Sequence, residues 1–391
     1  MLKKLFLGIL AVVFLVLAAA ILYVFSMVAE RPDNTHQVNS TLYQPAFQSA
    51  EVHANNWLQS LYLNNTVPSI SAAVGVNGSL VWAGIIGYAD LDEKIPATSD
   101  TRYRIGSISK SITAAAVMRL SEKGVIDIDS PFNKYVKDFS AADAEYTIKH
   151  LLSHQAGIRH YAKGFSENYN MKEYPSTKAA AAIVENDALL FSPGSGFNYS
   201  TYGYNLLALA MESASSLSLK ELMTRDVFNP IGMSLTSFDS LHSPNNENIA
   251  KPYLLISDFL LEAPTADLSD RYAGGGYIST PTDLVKFGNA LMGNVFLTEQ
   301  SKAALWTPVP LAQGAMNPEY YALGFRVGQD DLGRFVHHGG VSIGGYSYLV
   351  IYPDLGIVVA FVSNYTPMES SFNRGEEARK LVNIFNSLLQ E

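Results

Sequence analysis

The sequence predicts one α/β (α+β) domain: an antiparallel sheet built from both chain ends, a helical insertion between them, and one transmembrane helix in front. Three observations carry this. Strand-like runs cluster at residues 69–88 and return after Leu323, whereas residues 107–293 are patterned for helices and loops. Residues 5–29 form an uncharged apolar run. The 391 residues, 48% of them hydrophobic, would allow two domains. Strands at both ends of a helical middle point instead to a single interwoven unit.

The apolar run follows Met1-Leu2-Lys3-Lys4 and spans 25 residues. At about 1.5 Å per residue it exceeds the roughly 30 Å hydrocarbon core of a bilayer. A cleaved signal peptide has a shorter apolar stretch, of about 7–15 residues. Ala18-Ala19-Ala20 offers an alternative cleavage site, but cutting there would leave apolar residues 21–29 at the new terminus. Lysines stand only before the span, so the positive-inside rule places the body outside the cytoplasm. The expected location is a bacterial inner membrane, single-pass, with the domain on the periplasmic side.

Residues 30–44 are polar and carry Pro32, Asp33, Asn34 and Asn39, as in a short stem. Residues 45–63 follow as a helix. Strands at 69–76 and 80–88 are joined by Asn77-Gly78, a strong hairpin signal. An alanine-rich helix from Ser107 is stopped by Gly124. Late strands are expected at 325–327, 345–352 and 357–363, with a turn at Pro353-Asp354, and an amphipathic helix at 375–389 closes the chain. The expected division is an anchor at 1–29, a stem at 30–44 and one domain at 45–391.

Net charge is −9, and −11 once Lys3 and Lys4 are set aside with the anchor. An acidic body without a basic cluster repels phosphate backbones, which excludes nucleic acid as a partner. Cysteine is absent, which removes thiol catalysis, disulfides and cysteine-bound zinc. His150 and His154 lie four apart on a helix-like run. No glutamate follows His150 to complete a zinc-protease pattern, so no metal and no cofactor are expected. His154 is expected to brace the following loop.

The decisive motif is Ser107-Ile108-Ser109-Lys110, the one place where a lysine has serine three residues before it. On a helix, positions i and i+3 share a face, so the hydroxyl and the amine can meet. A serine needs such a neighbouring base to become a nucleophile near neutral pH. The partial positive charge of the helix N-terminus favours alkoxide character and a lowered lysine pKa. Two further clusters can carry chemistry. Tyr199, on the loop leading into a helix after Gly203, could act as a general base beside an ammonium. In Phe335-Val336-His337-His338-Gly339-Gly340-Val341, strand-like residues lead to a histidine and two glycines. Such glycines admit a ligand to the backbone, and the next N–H can point at an oxyanion. Gly340-Val341-Ser342-Ile343-Gly344 matches a nucleophile-elbow pattern, but the residues after Ser342 are strand-like where that motif needs a helix. Ser342 is not expected to be the nucleophile.

In this order the three clusters resemble the serine β-lactamase and penicillin-binding-protein superfamily. The resemblance is to the class C-like branch of esterases, D-amino-acid peptidases and LACTB-type serine β-lactamase-like proteins, and it covers residues 45–388. Leu151-Leu-Ser-His-Gln-Ala-Gly157, Ala273-Gly-Gly-Gly-Tyr-Ile-Ser-Thr280 and Trp306-Thr-Pro-Val-Pro310 extend it beyond the catalytic motifs. The resemblance implies a β-lactamase/transpeptidase-like fold, with Ser107 as acylated nucleophile, Lys110 as its proton partner and Tyr199 as the tyrosine of Tyr-x-Asn. It implies an oxyanion hole from the backbone N–H groups of Ser107 and Val341, and substrate contacts from Thr201, His338, Gly339 and Gly340. Thr201 and His338 depart from the family's asparagine and lysine, which implies weak or absent β-lactam hydrolysis. The expected function is therefore acyl-enzyme hydrolysis of a small-molecule or peptide substrate: a peptide, an amide or an ester. A non-catalytic penicillin-binding-like scaffold and a true class C-like β-lactamase are the alternatives.

Overall fold

The computed structural model describes residues 6, 9, 12–18, 28, 35–137, 139, 145–162, 167, 169–240, 248–369 and 372–389. The main sheet draws β1 (Asn39–Leu42), β2 (Ser69–Val76) and β3 (Ser79–Asp90) from the front of the chain. From the back it draws β4 (Arg326–Asp330), β5 (Gly333–Ser342), β6 (Gly345–Tyr352) and β7 (Ile357–Ser363). Their order is β1-β3-β2-β7-β6-β5-β4, all antiparallel, with the short strand Ile95–Pro96 also pairing with β3. The two chain ends meet where β2 pairs with β7, as the sequence predicts.

Local chemistry sets the turns. Asn77 and Gly78 hold φ values of 49° and 81°, the pair of positive φ angles that a two-residue hairpin turn demands. β2, β6 and β7 are buried along their whole length, which their β-branched and aromatic residues tolerate on both faces. On one face lie α1 (Gln48–Asn64) and the last helix, with Trp57, Leu61, Phe361 and Phe385 in one core cluster. On the other lie α2 (Ile108–Glu122) and the helical insertion, packed through Ile112, Val117, Leu284 and Val285. The sheet is thus the middle of three layers.

The structure departs from the sequence reading in three places. β1 falls inside the expected stem and extends the sheet edge along β3. The middle of the chain is not free of strands: Tyr103–Arg104, Ser237–Phe238 and Tyr277–Ser279 form one small sheet, and Tyr253–Ile256 and Phe259–Glu262 join Tyr365–Pro367 in another. Runs of two to four residues are too short for alternation to register. His338-Gly339-Gly340 lies within β5, with the turn placed later, at Ile343-Gly344. Of the expected membrane span, residues 5–29, only 6, 9, 12–18 and 28 are described, and the rest lie outside the described residues. Among the described residues no helix is long and apolar enough to cross a membrane.

Candidate active site

The strand Tyr103–Arg104 pairs with Tyr277–Ser279, and Ile105 N bonds Tyr277 O at 3.1 Å, which delivers the chain to Gly106. Gly106 has φ 48°, and a β-carbon there would lie 2.6 Å from Val341 O and 2.7 Å from Val341 N. Only glycine both adopts that backbone and lets β5 approach so closely. Ser107 follows with φ −66°, and α2 starts at the next residue. One turn later Lys110 returns to it, with Nζ 3.2 Å from Ser107 Oγ.

Lys110 is fully buried, and its amine has two further partners: Gly274 O at 2.6 Å and Thr201 Oγ1 at 3.0 Å. No carboxylate pairs with it among the described residues. Burial holds its pKa well below the ordinary lysine value, and the positive charges of Arg326 and Arg271 add to the effect. A neutral amine has two N–H bonds and one lone pair. Gly274 O can only accept, and Thr201 Oγ1 takes the second proton, which leaves the lone pair for the Ser107 hydroxyl.

Tyr199 sits just before α3 (Thr201–Ser215), a helix capped by the Ser200 side chain on Gly203 N. The Ser107 side chain acts on the Tyr199 hydroxyl to lower its pKa, and the Tyr199 ring lies 4.7 Å from Lys110 Nζ. Burial outweighs this and raises its pKa above the ordinary phenol value. The general-base role read for Tyr199 would need a phenolate, which this burial disfavours. Desolvation acts on both groups, favouring a neutral amine and a neutral phenol. Thr201 also departs from expectation, because its hydroxyl is held by Lys110 while its N–H donates to His160 Nδ1 at 3.2 Å. His160 is itself pushed down to about 3, chiefly by burial.

Alternation along β5 turns Val336, His338 and Gly340 toward α2 and Phe335 and His337 toward the opposite face. His338 is 1% exposed. Its Nδ1 donates to Gly339 O at 2.8 Å, so the neutral ring presents the Nε2 lone pair to Tyr321 OH at 3.0 Å and Arg326 Nη1 at 3.4 Å. Burial first, then Arg326 and Lys110, keep it well below the usual histidine range. The charge that a lysine would supply here comes instead from Arg326, paired with Glu319 and set opposite His337 across the β4–β5 hairpin.

Gly340 packs where a β-carbon would lie 2.0 Å from Ile105 O, and Ser347 Oγ bonds that same carbonyl at 2.8 Å. The two contacts clamp β5 and β6 to the segment that carries Ser107. Ser342 ends β5 and is followed by a two-residue turn and then β6, so no helix supports it as a nucleophile. His150 Nδ1 accepts from Thr147 N in a capping box, and His154 Nδ1 accepts from Ser200 N at 3.1 Å. His154 thus braces the loop of Tyr199 and stacks on its ring at 4.3 Å. Among the described residues no cluster could hold a metal ion.

Ser107, Tyr199, Thr201 and His338 open onto one cleft of about 830 Å³. Arg271, Arg326 and Arg374 line it, and no aspartate or glutamate does among the described residues. Sequence reasoning missed all three arginines and the Gly274 carbonyl.

Comparison with known proteins agrees with this geometry. Human mitochondrial serine beta-lactamase-like protein LACTB is 28% identical over 379 residues, covering 73% of this chain and 69% of that one. Penicillin-binding protein 4* of Bacillus subtilis is 28% identical over 310 residues, covering 76% and 67%. The octameric penicillin-binding protein homologue from Pyrococcus abyssi superposes with a TM-score of 0.71 at 25% identity, over 86% of this chain and 77% of that one. The family model described as Beta-lactamase matches residues 54–384, and with a serine and a lysine joined at the mouth of such a cleft, the chain belongs to the Beta-lactamase family as a serine hydrolase of the β-lactamase and penicillin-binding-protein superfamily.

Proposed function

We propose that this chain is a membrane-anchored acylhydrolase that uses Ser107 to form an acyl-enzyme from a peptide, amide or ester substrate carrying a negative charge. The observation that carries it is the buried amine of Lys110, 3.2 Å from Ser107 Oγ and without a carboxylate partner among the described residues. The neutral amine takes the Ser107 proton as Oγ bonds to the substrate carbonyl carbon. The backbone N–H groups of Ser107 and Val341 hold the resulting oxyanion. On collapse the bond to the leaving nitrogen or oxygen breaks, and that atom receives the proton from Lys110 with the Tyr199 hydroxyl as relay. Water then adds to the ester, Lys110 takes its proton, and Ser107 Oγ leaves with a proton restored.

The substrate class follows from the cleft. Arg326 presents a guanidinium beside His338, where it would meet a substrate carboxylate bidentately. A penicillin carboxylate would find the same group, so binding of β-lactams is expected. Their turnover is expected to be slow, because the Thr201 hydroxyl is engaged by Lys110 and gives the lactam side chain no amide to bond. The D-stereospecific amidohydrolase from Streptomyces, 24% identical with a TM-score of 0.66, shows that the fold is shared with an amidohydrolase. The anchor rests on the uncharged run at 5–29 and on Lys3 and Lys4 before it.

The test is a fluorophosphonate probe together with D-Ala-D-Ala peptides, short p-nitrophenyl esters and nitrocefin. Ser107→Ala should abolish labelling and lower turnover by several orders of magnitude, while Ser342→Ala keeps most activity. The reverse pattern would refute the assignment. So would wild-type protein that hydrolyses only nitrocefin, at the rate of a dedicated resistance enzyme.

A further inference from the structure

Arg374 opens the last helix, α4 (Arg374–Asn386), which packs on the sheet face opposite α2, while Arg374 itself lines the cleft onto which Ser107 opens. Its guanidinium lies over the Tyr346 ring at 4.3 Å and against Gly339, where a β-carbon would sit 3.0 Å from Cζ. Nη1 donates to Gly340 O at 2.8 Å and to Ser347 O at 3.2 Å. No carboxylate is paired with it among the described residues.

The register explains why that contact matters. Ser342 and Gly345 flank the two-residue turn Ile343-Gly344, so they form a hydrogen-bonded pair. Bonded and non-bonded pairs alternate along an antiparallel ladder. Val341, opposite Tyr346, is therefore a non-bonded position, and Gly340, opposite Ser347, is a bonded one. The Val341 N–H points away from β6. On that side β4 pairs only with residues 333–337, leaving this stretch of edge open, and Gly106 lies against Val341 N. Gly340 C=O and Val341 N–H belong to one planar peptide and point in opposite directions. A charge fixed on the oxygen orients and polarises the hydrogen on the nitrogen.

We infer that Arg374 is a positioning residue for the oxyanion hole: it holds the Gly340 carbonyl and so aims the Val341 N–H at the carbonyl oxygen of the substrate. The inference rests on the acyl-enzyme reading of Ser107. A donor aimed at charge that develops only in the transition state affects kcat rather than ground-state binding.

The experiment uses the full-length chain and two esters, p-nitrophenyl acetate and the monoester of p-nitrophenol with glutarate, which adds a free carboxylate. Arg374→Ala and Arg374→Gln should lower kcat on both esters, by about 10- to 100-fold, with KM within about 2-fold. Arg374→Lys should recover part of the loss, because one ammonium can still bond one of the two carbonyls. Gly339→Ala keeps the arginine but displaces its guanidinium, so it should show the same kcat-weighted loss if Arg374→Ala proves unable to fold. A loss confined to the glutarate ester and expressed in KM would make Arg374 a substrate anchor and overturn the inference, as would unchanged kcat on both. In the same assay, turnover surviving in Ser107→Ala would sink the acyl-enzyme reading itself. Wild-type kcat in Arg374→Ala with Ser107→Ala inactive would sink the positioning role alone.

Discussion

Among the described residues two lysines are buried, and only one of them has a carboxylate beside it. Lys110 is 0% exposed and Lys302 is 4% exposed. Lys302 meets the Glu299 carboxylate at 2.7 Å, the carbonyls of Met292 and Gly293, and the Asn294 side chain. Every partner accepts, so all of them suit an ammonium. Lys110 meets one carbonyl and two hydroxyls, faces two arginines, and has no acid beside it among the described residues. Burial alone therefore does not make a general base. Burial without a counter-charge does, because the protein then lacks the means to stabilise the charged form.

The comparison can be broken at several points. Lys110→Met should lower kcat/KM by about 10²- to 10⁴-fold, the usual contribution of a general base, whereas Lys302→Met should leave catalysis intact; steady-state kinetics on one ester checks both. Thr201→Asp would place a carboxylate where Lys110 now finds a hydroxyl 3.0 Å away. An opposite charge at that range moves a pKa by about 1–3 units, so the Lys110 pKa should rise toward the ordinary lysine value. Activity at pH 7 should fall by about 10- to 1,000-fold and recover at higher pH. Arg326→Gln removes one of the charges that depress Lys110 and the anchor proposed for substrate carboxylate. It should weaken kcat/KM for an anionic ester by about 10-fold relative to a neutral one, the equivalent of one charge-assisted contact of about 1.4 kcal/mol. The smallest effect belongs to Glu299→Gln. That side chain is 74% exposed, so activity should not change and thermal unfolding should move by a few degrees at most.

Much of this was legible in the sequence, for local reasons. The i,i+3 spacing of Ser107 and Lys110 works within one helical turn, so the contact could be read before any tertiary structure was known. The hairpin at Asn77-Gly78 and the strands 345–352 and 357–363 announced the two-ended sheet in the same way. His338 could be separated from His337 only through the strand's alternation and its motif context. What escaped was non-local. Arg326 acts because a hairpin sets it opposite His337, and Gly274 because its carbonyl crosses to a lysine 164 residues away. The glycine run at 274–276 was noted as a family signature, yet its spacing gives no hint that one carbonyl holds an amine. Tyr199 lies on the loop before its helix as the sequence reads, but burial disfavours the charged form that a general base needs. Composition and spacing do not report desolvation.

The central claim is that Lys110 is neutral before substrate arrives, and the pH dependence of Ser107 phosphonylation by an uncharged fluorophosphonate tests it directly. His154 and His338 are held well below the usual histidine range and His160 at about 3, so none of them should titrate between pH 6 and 8. The base must be unprotonated to act, so the rate should fall as pH drops through the lowered Lys110 pKa and stay level above it. A plateau across the neutral range, with its acid limb moved upward in Thr201→Asp, is the predicted result. A rate that keeps climbing tenfold per pH unit from 7 toward 10 in the wild type would show an ordinary, protonated lysine and contradict the account.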